Sequence, residues 1–160
     1  TSKDGKCILA ALVLSAIGDV LLIPKSKKTF QAGVFAFLLA HLAFAAAFLV
    51  RGVSWPGALL AAVPLAVVAA GVARIVLPKA EELKGAVAVY IVVVTAMAAL
   101  AVGVAVREHA PIVGIAGLMF WCSDLAVARD TFLKPGFVNR VWGLPLYYAA
   151  QTLFALLVLR

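Results

Sequence analysis

Two aspartates stand inside apolar stretches of this chain. They are Asp19, in Ser15-Ala16-Ile17-Gly18-Asp19-Val20-Leu21-Leu22, and Asp124, in Phe120-Trp121-Cys122-Ser123-Asp124-Leu125. An ionisable group at the centre of a membrane helix costs about 2.5–3.5 kcal/mol on insertion scales, so such residues are the informative ones. His41, Tyr90, Tyr147, Tyr148, Gln151, Ser15 and Ser123 are the other polar residues in comparable surroundings. With the aspartates they outline a polar pocket. Two carboxylates in a low-dielectric pocket behave as a coupled pair, in which one stands as the neutral acid and the other as the ion. That pair suits a reaction that protonates an ether-type substrate and adds water to an oxocarbenium ion, as glycosidases do.

Other chemistries find less support. His41 and His109 are the only histidines, too few for a three-histidine zinc hydrolase. No Ser lies in a G-x-S-x-G elbow, and a P-loop and a dinucleotide fingerprint are both absent. The expectation is therefore a reaction without metal or cofactor. Each polar residue also has a bland use. Asp19 could snorkel to the interface or pair with a loop lysine, and Asp124 could pair with Arg129. His41 could simply pack, and the tyrosines could be interfacial anchors. Two further readings use the same residues: a proton-coupled carrier in which Asp and His form a relay, and a lipid-binding module whose aspartates bridge helices.

The elements that must position these groups are set by hydropathy. The mean hydropathy is +1.13, and charged residues make up 13% of the chain against 66% hydrophobic. A soluble domain could not cover that much apolar surface, so the bilayer is the main solvent. Six continuous apolar runs are visible, at about Cys7–Ile23, Phe30–Val50, Trp55–Leu77, Gly85–Val106, Pro111–Val127 and Val141–Leu159. Each is long enough to cross roughly 30 Å of hydrocarbon at about 1.5 Å per residue. The prediction is a single domain over residues 1–160, an all-α polytopic bundle of six spans. Pro64 and Pro145 fall inside runs three and six, where kinks are expected. Unbroken apolar runs of this length exclude the alternation of a transmembrane β-barrel.

The formal charge of +7 reads as basic loops facing anionic lipid and not as nucleic-acid binding. Lys25, Lys27, Lys28, Arg74, Lys79, Lys84, Arg129, Lys134 and Arg140 follow runs one, three and five, and outnumber the cations at the other ends. By the positive-inside rule those loops are cytoplasmic in an integral multi-pass protein, in the plasma (inner) membrane if the source is bacterial. Asp19 then lies roughly 6 Å inside its helix end, and Asp124 comes to a similar depth on the same side. Tyr147, Tyr148 and Gln151 fall in the first turns of run six, and His41 falls about mid-span.

These motifs carry a resemblance. Ser15 to Asp19 with Leu21-Leu22, Gly33 to Phe37 through Ala40-His41, Tyr90, Phe120 to Leu125, and Tyr147-Tyr148-Ala149-Ala150-Gln151 occur in order in five of the six runs. In this the chain resembles the YhhN family of membrane proteins. The resemblance implies an alkenyl ether hydrolase acting on lysoplasmalogen, a lysophospholipid, to give a fatty aldehyde and a glycerophospho-choline or -ethanolamine. It also implies a family pattern of about eight spans, of which this chain, starting at Thr1, would be the last six. On that reading Asp19 and Asp124 are the catalytic acid and base, with His41, Tyr90, Tyr148, Gln151 and Ser123 supporting. Lys25, Lys27, Lys28 or Arg129 would meet the phosphate at the cytoplasmic rim.

Overall fold

Helix starts are set by hydroxyl caps and prolines. Ser2, Ser26 and Ser54 each accept a hydrogen bond from the backbone N–H three residues on, satisfying donors that a first turn leaves free. Pro56 and Pro111 occupy first turns, where a missing N–H costs nothing. The computed structural model describes residues 2–24 and 26–158. Its six long helices are α1 (Lys3–Leu22), α2 (Lys27–Arg51), α3 (Trp55–Val76), α4 (Lys84–Glu108), α5 (Pro111–Ala128) and α6 (Phe137–Val158). All six are long and apolar enough to span a bilayer, and no strand occurs among the described residues. The fold is a polytopic helical bundle. α3 and α6 run on through Pro64 and Pro145, as neighbouring helices in a membrane permit.

Two boundaries differ from the hydropathy reading, and both matter below. α6 starts at Phe137 and not near Val141, because Asn139 and Arg140, which look like loop in sequence, lie in its first turn. Tyr147 is therefore about 15 Å into its helix at 1.5 Å per residue, not in the first turns. α5 does not stop at Ala128. A π-turn, Arg129–Leu133, continues it, so Asp124 is deeper than its distance from Val127 suggests.

Five helices close a ring: α1 packs on α2 and α6, α2 on α4, α4 on α5, and α5 on α6. α3 packs on α4 from outside and turns Leu60, 78% exposed, with Val63 and Val67, toward lipid. Lipid tails are as apolar as these side chains, so close packing and hydrogen bonds must hold the ring together. Its centre is a group of aromatic rings. Phe44 meets Phe154 at 4.5 Å between centroids and Phe120 at 5.9 Å, all three fully buried. Ala98 and Ala101 of α4 and Ala116 of α5 are buried where those helices cross.

The end of the bundle opposite the basic loops is tied by ions. Arg51 Nε donates to Glu108 Oε1 and Oε2 at 2.8 and 3.0 Å, and Arg51 Nη1 to Asp4 Oδ2 at 3.3 Å. One guanidinium thus joins the ends of α1, α2 and α4. The next residue, Gly52, has φ +97, and a Cβ there would run into the Arg107 guanidinium. Only glycine suits both demands.

Candidate active site

Polar residues of four helices, α1, α4, α5 and α6, converge on one cavity of about 700 Å³. It opens among the ends of α1, α2, α5 and α6 and runs up along the α3–α4 side. Asp19, Tyr90, Ser123, Asp124, Tyr147 and Tyr148 all line it. Its apolar walls include Ala69, Val72 and Val76 of α3 and Val87, Ile91 and Val94 of α4.

Asp124 sits on the inner face of α5. Its Oδ1 accepts the Tyr90 hydroxyl of α4 at 3.2 Å. Its Oδ2 lies 3.2 Å from His41 Nε2 of α2, close enough for an ion pair but out of line for a hydrogen bond, so both atoms are buried without a hydrogen-bond partner. The other ring nitrogen is committed: His41 Nδ1–H donates to the Phe37 carbonyl at 2.7 Å. The imidazole is clamped edge-on by Phe120 at 4.7 Å and by Tyr90 at 5.3 Å, and its residue is 0% exposed.

Asp19 makes the second half of the site. Its Oδ2 accepts the Tyr147 hydroxyl of α6 at 2.9 Å, a bond that joins α1 to α6. Tyr147 in turn packs edge-on against Phe120, centroids 5.3 Å apart, and so touches the wall of the His41 pocket. No hydrogen bond or ion pair joins the two carboxylates directly among the described residues; they share the cavity. Gly18, beside Asp19, lies under the Phe37 ring, and a Cβ there would fall 2.7 Å from that ring. The glycine lets the Phe37 ring seat directly against α1, so that α1 and α2 pack closely beside Asp19.

The remaining sequence candidates distribute as follows. Tyr148 lines the cavity but is half-exposed, while its neighbour Tyr147 is buried and makes the aspartate contact. Gln151 lies one turn beyond Tyr147 with Oε1 buried and unpartnered, and Ser15 one turn before Asp19 is in the same condition. Ser123 turns its hydroxyl onto the Phe120 carbonyl at 2.6 Å, spending its proton on the helix. Of the rim cations, Lys25 lies outside the described residues. Lys27 pairs with Glu82, Lys28 is exposed, and Arg129 Nη1 donates to Asn139 at 3.0 Å. None of these three lines the cavity, whereas Arg140 and Asp130 do. Sequence reading missed that pair because it assigned residues 128–140 to a loop. The signal available was Asp130 and Asn139 flanking Gly136, a turn pattern.

Chemically, the arrangement offers two carboxylates, each anchored by a phenol, with a histidine at the back of one and a long apolar wall beside them. No solved structure matches the chain. Lysoplasmalogenase TMEM86A of Bos taurus is 35% identical over 166 aligned residues, covering 98% of the chain and 66% of that relative, so the chain spans a little under two thirds of the relative's length. The YhhN family matches residues 1–158. A match of that extent, falling on an all-α bundle of membrane-spanning helices, shows that the chain belongs to the YhhN family.

Proposed function

We propose that the chain carries the active site of a membrane hydrolase that cleaves the vinyl ether of lysoplasmalogen, releasing a fatty aldehyde and a glycerophospho-alcohol. The observation that carries this is the single cavity lined by both Asp19 and Asp124, each held by a tyrosine hydroxyl. The bovine relative, a lysoplasmalogenase, supports the same reading.

A vinyl ether is protonated on carbon, a slow step that needs a positioned acid. Asp124, backed by His41, delivers that proton to the alkenyl carbon remote from oxygen. The resulting oxocarbenium ion is stabilised by ionised Asp19, which accepts a proton from water as the water adds to the carbon next to oxygen. The hemiacetal then loses its hydroxyl proton to Asp124. Asp19 gives its proton to the departing glycerol oxygen as the C–O bond breaks. One water is consumed, and both carboxyls return to their starting states. The alkenyl tail lies against Val72, Val76, Ile91 and Val94. The basic end faces the cytoplasm in this reading.

His41 stands well inside α2, which also suits the proton relay of a carrier. One experiment separates the readings. Purified protein is given lysoplasmenylethanolamine and aldehyde is measured, with Asp19→Asn and Asp124→Asn in parallel. Each variant is expected to lose turnover on the order of 10²-fold or more while melting like the parent. Full turnover in both variants overturns the two-carboxylate mechanism. Proton flux in liposomes without aldehyde release favours the carrier.

A further inference from the structure

The mouth of the cavity holds an ordered polar group that the reaction above does not use. The π-turn after α5 brings Asp130 opposite the start of α6. Asp130 Oδ1 accepts the Gly136 backbone N–H at 2.8 Å and Asn139 Nδ2 at 2.9 Å. Asn139, 3% exposed, also donates to the Lys134 carbonyl at 2.8 Å and accepts from Arg129. Its buried amide therefore fixes the Asp130 carboxylate in place and leaves Oδ2 turned toward Arg140 Nε at 3.9 Å. Asp130, Thr131, Asn139 and Arg140 all line the cavity, and the Arg140 side chain is 67% exposed, with donors available to a ligand.

We infer that Asp130 and Arg140 form the recognition site for a zwitterionic phospho-amine headgroup, with the phosphate on Arg140 and the ammonium on Asp130. This deepens the hydrolase reading and rests on it for the direction in which the lipid lies. Spacing supports the assignment. Asp130 follows Asp124 by six residues and Arg140 precedes Tyr147 by seven, which is about 9 and about 10.5 Å at a helical rise of about 1.5 Å per residue. From a vinyl ether oxygen to the phosphorus of a glycerophospholipid is five bonds of about 1.5 Å, roughly 6 Å when extended. The arginine side chain spans the remainder. Four more bonds carry the amine nitrogen past the phosphorus, toward the carboxylate. A guanidinium is the better partner for phosphate because its planar fork donates twice, and both contacts would be charge-assisted. An ion pair left 3.9 Å apart, beyond hydrogen-bond distance, can open to admit a zwitterion of complementary charge.

The test reads binding and turnover separately. Binding uses saturated alkyl-ether analogues, which cannot be hydrolysed, with three headgroups: phosphoethanolamine, phosphate alone and a free glycerol. Titration calorimetry in detergent gives the affinities for the parent, Arg140→Gln and Asp130→Asn. Asp130→Asn keeps Oδ1 as acceptor for Gly136 and Asn139, so the turn is retained. Arg140→Gln is expected to weaken both phosphate-bearing analogues about tenfold and leave the glycerol analogue unchanged. Asp130→Asn is expected to weaken the phosphoethanolamine analogue alone by a similar factor. Unchanged affinity for the glycerol analogue reports an intact cavity in each variant. Equal losses for all three analogues, or no loss for any, overturn the headgroup site. If the parent binds with this headgroup dependence yet releases no aldehyde from alkenyl substrates, the headgroup site stands and the hydrolase reading falls.

Discussion

His41 Nε2 faces Asp124 Oδ2 across 3.2 Å with its other nitrogen already spent on the Phe37 carbonyl. Nδ1 must carry a hydrogen to make that bond, so in a neutral imidazole Nε2 has only a lone pair to offer. The ring is thereby oriented with Nε2 toward Asp124, the atom through which it can exchange a proton with the carboxyl. The Tyr90 hydroxyl donates to the other carboxyl oxygen. In the proposed reaction the His41–Asp124 pair supplies the proton to the carbon centre.

His41→Gln is accordingly expected to lower kcat about 10²-fold with little change in KM, and to shift the pH profile of kcat. Gln offers an amide without the exchangeable ring proton. A rate loss with the parent's profile would show that His41 only packs.

Tyr147 and Tyr148 adjoin in sequence but differ in role. Tyr147→Phe removes the hydroxyl donated to Asp19 while keeping the ring against Phe120, and should cost roughly tenfold or more in kcat. Tyr148→Phe, at a half-exposed cavity wall, should stay within about twofold of the parent. Equal effects from the two would detach Tyr147 from the site.

Gly18→Ala puts a methyl 2.7 Å from the Phe37 ring. The ring must move, and it is the residue whose carbonyl orients His41. The expected result is a destabilisation of about 1–3 kcal/mol, seen as a lower Tm in detergent, with a loss of kcat larger than the Tm change explains. A Tm shift with normal kcat would mean that the Phe37 backbone stays put when its ring is displaced.

At the opposite end, Arg51→Met leaves Asp4 and Glu108 without their shared guanidinium. This should destabilise by about 1–3 kcal/mol and leave kcat of the folded fraction unchanged, because the cluster is remote from the cavity. Thermal melts and activity at low temperature separate the two effects.

The membrane class and the six spans were legible because continuous apolar runs leave few alternatives. The candidate site was partly legible. Depth and sidedness picked out Asp19 and Asp124, which line one cavity. The partners of each were harder to see. Choosing Tyr147 over Tyr148 needed the phase of α6, whose buried positions Asn139, Gly143, Tyr147, Ala150 and Phe154 recur at three- and four-residue steps. Adjacent tyrosines in an apolar run do not by themselves show which one faces inward. The pairing of His41 with Asp124 is tertiary: nothing near either residue in sequence announces it. Asp130 and Arg140 escaped because their polarity, which marks a cavity mouth in the structure, reads as ordinary loop in one dimension.

The bond from Tyr147 to Asp19 links residues 128 apart, α1 to α6. During synthesis Asp19 enters the membrane before any of its site partners exist, and its phenol arrives only with α6. The Asp19 half of the candidate site is therefore not assembled until α6 is inserted and docks on α1. A product stalled before α6 would span the membrane yet lack the Tyr147–Asp19 bond, so that bond reports docking of α6 and not mere insertion.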